Sequence, residues 1–202
     1  MKKSYWSILL VLIILVADQA TKILVKTTMH ANEMIPLIGD RVFIYFVENP
    51  GMAFGLEFGG VNGKLFLTLF RLVASGFIIY YIRKLIRTQA PLDVIIGLSA
   101  ILAGALGNII DSAFYGIIFN ESTYGTIAEF FPKEGGYAPF LQGHVVDMIY
   151  CPVIRGTYPD WFPIWSGESF TFFKPIFNIA DSAITIGVFY LIIFQRKFFR
   201  DL

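Results

Sequence analysis

Charge, cysteine and histidine are scarce in this chain, and each scarcity removes a class of function. Only 15% of its 202 residues are charged, and the formal net charge is +1. No basic tract is present that would track a phosphate backbone, so nucleic acid binding has no electrostatic footing. The single cysteine, Cys151, excludes an internal disulfide framework and a cysteine-based zinc site, and it is expected to be buried as a small hydrophobe. The two histidines, His30 and His144, are far apart and lack an HExxH-type context, so no metal site is expected. "GGVNGK" and "GALGN" lack the P-loop pattern. Nucleotide binding is therefore not expected, nor is any cofactor.

Apolar surface is what the chain has in abundance: 56% of residues are hydrophobic and 17% aromatic, with a mean hydropathy of +0.66. A soluble domain of this length carries more charge, so the composition points to a membrane protein in contact with lipid. Four segments approach the roughly 20 apolar residues needed to cross a bilayer: Tyr5–Val25, Leu65–Ile86, Leu92–Ser112 and Ile176–Phe194. Lys2 and Lys3 precede the first of these, but no small-x-small cleavage site follows Val16, so it is expected to be a retained helix.

Lys2 and Lys3, then Arg83, Lys84 and Arg87, then Arg196, Lys197 and Arg200 fall on one side if both termini are cytoplasmic. The expected fold class is thus an all-α membrane protein of one domain, with four transmembrane helices and two long outer loops, 26–64 and 113–175. In the first loop Arg41–Val47 is β-branched and aromatic and ends at Asn49-Pro50-Gly51, which predicts a short strand and turn in a small extracytoplasmic sheet. The second loop, rich in Gly, Pro and aromatics, is too long for a plain connector and is expected to form a cap or lid. Its Trp161, Phe162 and Trp165 suit a membrane–water interface.

Ionisable residues within or beside the spans are costly in hydrocarbon, so each has a partner or a task. Asp18 and Lys22 are spaced i,i+4 and share a helix face. In "GALGNIIDS", Gly104 and Gly107 permit close helix approach, while Asn108, Asp111 and Ser112 recur on one face. Asn178 and Asp181 stand at i,i+3 at the head of the last span, and Asp147 lies in the apolar run "GHVVDMIY". Asp147 and Asp181 are both expected at the outer boundary, where desolvation raises a carboxyl pKa. Two carboxyls brought close share one proton and suit water activation. Taken alone, an Asp at a span end is more often a helix cap or salt-bridge partner than a catalyst, and the spacing of Asp147 and Asp181 does not bring them together.

Five motifs in order resemble the lipoprotein signal peptidase, or signal peptidase II, family: "DQATK" (Asp18–Lys22), "NPGMAFG" (Asn49–Gly55), "GALGNIID" (Gly104–Asp111), "VVDM" (Val145–Met148) and "FNIADSAI" (Phe177–Ile184). The resemblance implies an aspartyl endopeptidase of the bacterial cytoplasmic membrane, without metal or cofactor. Its partners would be diacylglyceryl-modified prolipoproteins, cleaved just before the lipidated cysteine. Carried over by motif, Asp147 and Asp181 become the catalytic dyad. Asp18, Asn49, Gly51, Asn108 and Asn178 become site-lining or supporting residues, beside Lys22, Gly104 and Asp111. The active site would face the outer side, in a multi-pass protein expected to be monomeric. The chain departs from the family pattern where many members carry Arg after "GNIID", a natural clamp for a substrate carbonyl; here the residue is Ser112. The spacing from Asp111 to "VVD" and on to "FNIAD" is also long, which implies an enlarged lid. A small transporter or ion relay built on intramembrane carboxylates is the competing expectation, and a non-enzymatic membrane scaffold a third.

Overall fold

The computed structural model describes residues 2–50, 60–172 and 175–200. Helix α1 (Lys3–Thr28) leads through strands β1 (Met34–Ile38) and β2 (Val42–Asn49) to the antiparallel pair α2 (Gly60–Arg87) and α3 (Leu92–Ile110). The end of α3 widens into a π-helical turn, Asp111–Tyr115, and closes with the short α4 (Gly116–Ile118). Strands β3 (Val145–Tyr150), β4 (Ile154–Thr157), β5 (Ser169–Phe172) and β6 (Ile176–Phe177) follow, then α5 (Ile179–Phe194) and α6 (Arg196–Arg200).

Among the described residues, three helical stretches are long and apolar enough to cross a bilayer: Lys3–Thr28, Gly63–Arg87 and Leu92–Ile118. The fourth expected span is shorter than its hydropathy suggested. Ile176 and Phe177 are a strand paired with β3, and the helix begins at Ile179 and runs 16 residues. Hydropathy reads the apolar Ile176-Phe177 pair as helix, whereas the side chain of Asn178 caps the helix after them, accepting a hydrogen bond from the Asp181 N–H at 2.8 Å. The first and third spans extend past their expected ends, so Lys26 and residues 113–118 are helical. At the other end of the bundle, Lys3 Nζ donates to the carbonyls of Gln89 and Ala90 at 3.0 and 2.7 Å. The N-terminal basic residues and the α2–α3 connection therefore occupy one end, opposite the sheet.

The protein holds more sheet than one short strand. A four-stranded antiparallel sheet has the order β1-β2-β3-β6, and β4 and β5 form a separate hairpin. The expected strand at Arg41–Val47 is β2, displaced by a residue or two. The run containing Asp147 is β3, fully buried over its first four residues, and its burial on both faces hides the alternation that marks a strand. Edge strand β1, with Pro36 where a missing N–H is tolerated, exposes all five of its residues, "MIPLI". Beneath the sheet Phe46, Val146, Tyr115 and Phe119 pack with Val25 and Met29 of α1. A second core, including Val94, Ile95, Leu102, Ile82, Leu85 and Leu191, joins α2, α3 and α5.

The second long loop divides in two. Residues 119–144 fold back on the end of α3 and α4: Gly143 N–H donates to Ser112 O at 2.8 Å, Ala138 N–H to Gly116 O at 3.0 Å, and Tyr137 N–H to Phe119 O at 3.0 Å. Beyond β3, Tyr158 stacks on Phe162 and packs with Trp165 and Phe170 within the β4–β5 hairpin, whose Trp161 is 77% exposed. Cys151, expected to be buried, is half-buried at the start of this segment.

Candidate active site

The α3–α5 contact sets the geometry of the site. A Cβ at Gly104 would fall 2.2 Å from the Ala180 carbonyl oxygen, and one at Gly107 would fall 2.6 Å from Asp18 Oδ2. Only glycine lets α3 approach both neighbours, which brings Asn108 level with the first turn of α5. Asn108 Nδ2 donates to Asp181 Oδ1 at 2.8 Å. Asp181 sits in that first turn, where the helix dipole favours a negative charge.

Asp147 comes from the sheet. Asn49, at the end of β2, pairs with Val145 in the register and lies diagonally across from Asp147 on the same face. Its amide donates to Asp147 Oδ2 at 3.3 Å. Asn178 Nδ2 lies 2.8 Å from Asp147 Oδ1, 3.2 Å from the Val146 carbonyl and 3.3 Å from Asn108 Oδ1. Asn178 thus caps α5 with its oxygen and holds the Asp147 carboxyl with its nitrogen. Burial, reinforced by the negative charge of Asp181, pushes Asp147 up to about 7; Asn49, Lys22 and Asn178 pull against that rise. Asp147 is buried while Asp181 is partly exposed, so the two carboxyls differ in their access to water.

Behind this pair lies a closed ionic cluster. Lys22 Nζ contacts Asp18 Oδ2 at 2.9 Å, Asp111 Oδ2 at 2.8 Å and Asn108 Oδ1 at 2.9 Å, and all four residues are buried. Asp18 Oδ1 accepts from the Ala180 N–H at 2.8 Å, and Asp111 Oδ2 accepts from the Val146 N–H at 3.3 Å. The cluster therefore ties α1 and α3 to the residues that carry Asp181 and Asp147. Lys22 has its three donors occupied, and through Asn108 it orients the amide that holds Asp181.

The structure brings together Asp18, Lys22, Asn49, Asn108, Asp111, Asp147, Asn178 and Asp181, with Gly104 at the helix contact that permits it. Gly51 lies outside the described residues. Ser112 is buried, and its hydroxyl donates back to Asn108 O at 3.0 Å within its own helix. Gln19 went unnoticed in the sequence although it stands inside "DQATK". Its Nε2 donates to Asp111 Oδ1 at 2.8 Å, and its Oε1 accepts from the Tyr115 hydroxyl at 3.2 Å. A second buried cation, Lys26, one turn beyond Lys22, was also missed: it pairs with Glu48, and Ser122 and His144 bind the same carboxylate. Burial works to raise the Glu48 pKa, but His144, Lys26 and Ser122 outweigh it and hold it at about 2. The equal spacing of Asp18, Lys22 and Lys26 along α1 was the available signal.

Residues 10–197 match the family model described as signal peptidase (SPase) II. A lipoprotein signal peptidase of Porphyromonas gingivalis is 51% identical over 185 residues, covering 91% of this chain and 80% of that protein. One from Amoebophilus asiaticus is 37% identical over 200 residues, covering 97% and 80%. Among solved structures, a bacterial membrane enzyme determined by the in meso method is similar with a TM-score of 0.60 and 28% identity, over 95% of this chain and 87% of that one.

Proposed function

The chain belongs to the signal peptidase II family, and on that premise we propose that it removes signal peptides from diacylglyceryl-modified prolipoproteins with Asp147 and Asp181 as an acid–base dyad. The observation that carries this reading is the pair of carboxyls arriving from separate elements, β3 and the first turn of α5, each held by an asparagine amide and neither neutralised by a direct salt bridge among the described residues. Two carboxyls so placed share one proton, and the buried member, Asp147, retains it near neutral pH.

In the proposed mechanism the Asp181 carboxylate accepts a proton from a water between the two groups as that water attacks the scissile carbonyl. Asp147 donates its proton to the carbonyl oxygen, giving a neutral tetrahedral diol. Collapse returns a proton to the departing amine of the lipidated cysteine and leaves a carboxyl on the signal peptide. No covalent intermediate forms. Asn108 and Asn178 hold the carboxyls at one face, and the ionic cluster around Lys22 holds Asn108.

We place all four long helices across the bilayer, α5 completing its crossing with the help of α6, and both termini at the cytoplasmic face. The sheet end then lies at the outer leaflet of a bacterial cytoplasmic membrane. The apolar β1 and the Trp161-bearing hairpin suit the interface there, and a monomer is complete for catalysis. The test is processing of a diacylglyceryl-modified prolipoprotein by purified protein in lipid. Asp147→Asn and Asp181→Asn should each abolish cleavage while the protein remains folded; cleavage at the normal rate by either variant removes the dyad from the mechanism.

A further inference from the structure

Position 112, directly after "GNIID", is a serine whose hydroxyl donates within its own helix, so α3 offers no guanidinium to the site there. A different helix presents one. On α2, Lys64, Thr68, Arg71 and Ser75 recur at helical spacing along one face. Thr68 and Ser75 are buried and Arg71 is half-buried. The intervening Phe66, Phe70 and Val73 are 71%, 60% and 60% exposed, as expected of a lipid-facing side. The polar face is therefore turned into the bundle, against α3.

Height along the bundle is set by the short turn that joins α2 to α3. Arg71 precedes the end of α2 at Arg87 by 16 residues, and Asn108 follows the start of α3 at Leu92 by 16. At about 1.5 Å per residue the two rise to the same level, so Arg71 stands at the height of the asparagine that holds Asp181. Its guanidinium interacts electrostatically with Asp181, Asp111 and Asp147. One turn away along the same face, the buried Ser75 hydroxyl meets no hydrogen-bond partner among the described residues. Thr68, on the other side, is satisfied by the Lys64 carbonyl at 3.0 Å.

We propose that Arg71 is the substrate clamp of this protein, supplying from α2 the guanidinium that position 112 lacks, with Ser75 as a hydroxyl partner for the signal-peptide backbone along the same face. Arg71 presents paired N–H donors to the carbonyl oxygens flanking the scissile bond, a planar fork that a lysine ammonium does not reproduce. It stabilises the oxygen that gains electron density during water attack and takes no part in proton transfer. The proposal rests on the dyad reading above.

The experiment compares cleavage of a diacylglyceryl-modified prolipoprotein by wild type, Arg71→Gln, Arg71→Lys and the exchanged variant Arg71→Ser/Ser112→Arg, each reconstituted in lipid. Binding of an uncleavable substrate analogue is measured alongside. The expected result is a loss of about 100-fold in kcat/KM for Arg71→Gln, with weakened analogue binding. Arg71→Lys should be intermediate, and the exchange should recover at least tenfold over Arg71→Gln. Thermal unfolding identifies any variant that fails to fold, and Arg71→Lys then carries the comparison. Arg71→Gln within threefold of wild type overturns the proposal. So does a loss that neither lysine nor the exchange relieves in a folded protein, because that assigns Arg71 to bundle packing. Asp147→Asn and Asp181→Asn in the wild-type background separate the outcomes: if they remain active the dyad reading fails, and if they are inactive while Arg71→Gln is normal only the clamp fails.

Discussion

Two pairs of carboxyl groups lie within this small bundle, and their surroundings differ in the donors that face them. Asp18 and Asp111 share a buried ammonium, Lys22, at 2.9 and 2.8 Å, and each also accepts a backbone N–H. Asp147 and Asp181 receive asparagine amides and, among the described residues, no direct cation. A buried carboxylate that shares a hydrogen-bonded cation serves as a structural tie, because removing either partner strands a buried group. One that faces neutral amides and a second carboxyl keeps a proton to exchange. The candidate site residues thus divide into those that hold the site and those proposed to react in it.

Replacing the charge on each side sharpens that division, and the largest effect is expected on activity. Asp181→Asn should reduce prolipoprotein processing by on the order of 10³-fold or more with little change in thermal unfolding. Lys22→Met should act in the opposite sense on stability, stranding two buried carboxylates at a cost of about 3–5 kcal/mol. Denaturation in detergent measures it, and an undiminished midpoint would erase the distinction between the pairs.

A third prediction concerns pH. The folded-state pKa of Asp147 is raised from 3.8 to about 7. Its contribution to stability is therefore fully present below the unfolded value and is lost as pH rises through about 7. Wild type should lose up to about 4 kcal/mol between pH 4 and 8 that Asp147→Asn does not lose. Proton donation by Asp147 should also fail along the same limb, so activity declines above about pH 7. A flat difference between the two stability profiles would count against a proton held at Asp147. The smallest effect is expected from Gly104→Ala. Its added Cβ meets the Ala180 carbonyl oxygen and should cost about 1–3 kcal/mol, together with some activity, since it separates Asn108 from Asp181.

Much of the fold was legible because membrane helices announce themselves by composition. The spans at Tyr5–Val25, Leu65–Ile86 and Leu92–Ser112 lie within helices of the structure, and the β-branched stretch at Arg41–Val47 became β2. The misreadings share a cause. Hydropathy assigned Ile176 and Phe177 to a helix, took Lys26 as the start of a loop and left β3 unassigned, because it sums transfer preferences along the chain and is blind to partners. Lys26 is buried since Glu48, far along the sequence, meets it and the rings of Phe119 and Tyr137 lie about 5 Å from its ammonium.

By itself the sequence determined a lipid-embedded helical protein, the residues able to carry acid–base chemistry and, through five ordered motifs, its family. Only the tertiary structure decided which carboxyl meets which partner. Lys22 four residues beyond Asp18 is a local signal of pairing, but nothing local says that Asp111 joins that pair or that Asp147 meets asparagine amides instead. The distinction arises where α1, α3, β3 and α5 converge, because a buried charge is governed by the groups within a few ångströms of it, and those come from distant parts of the chain.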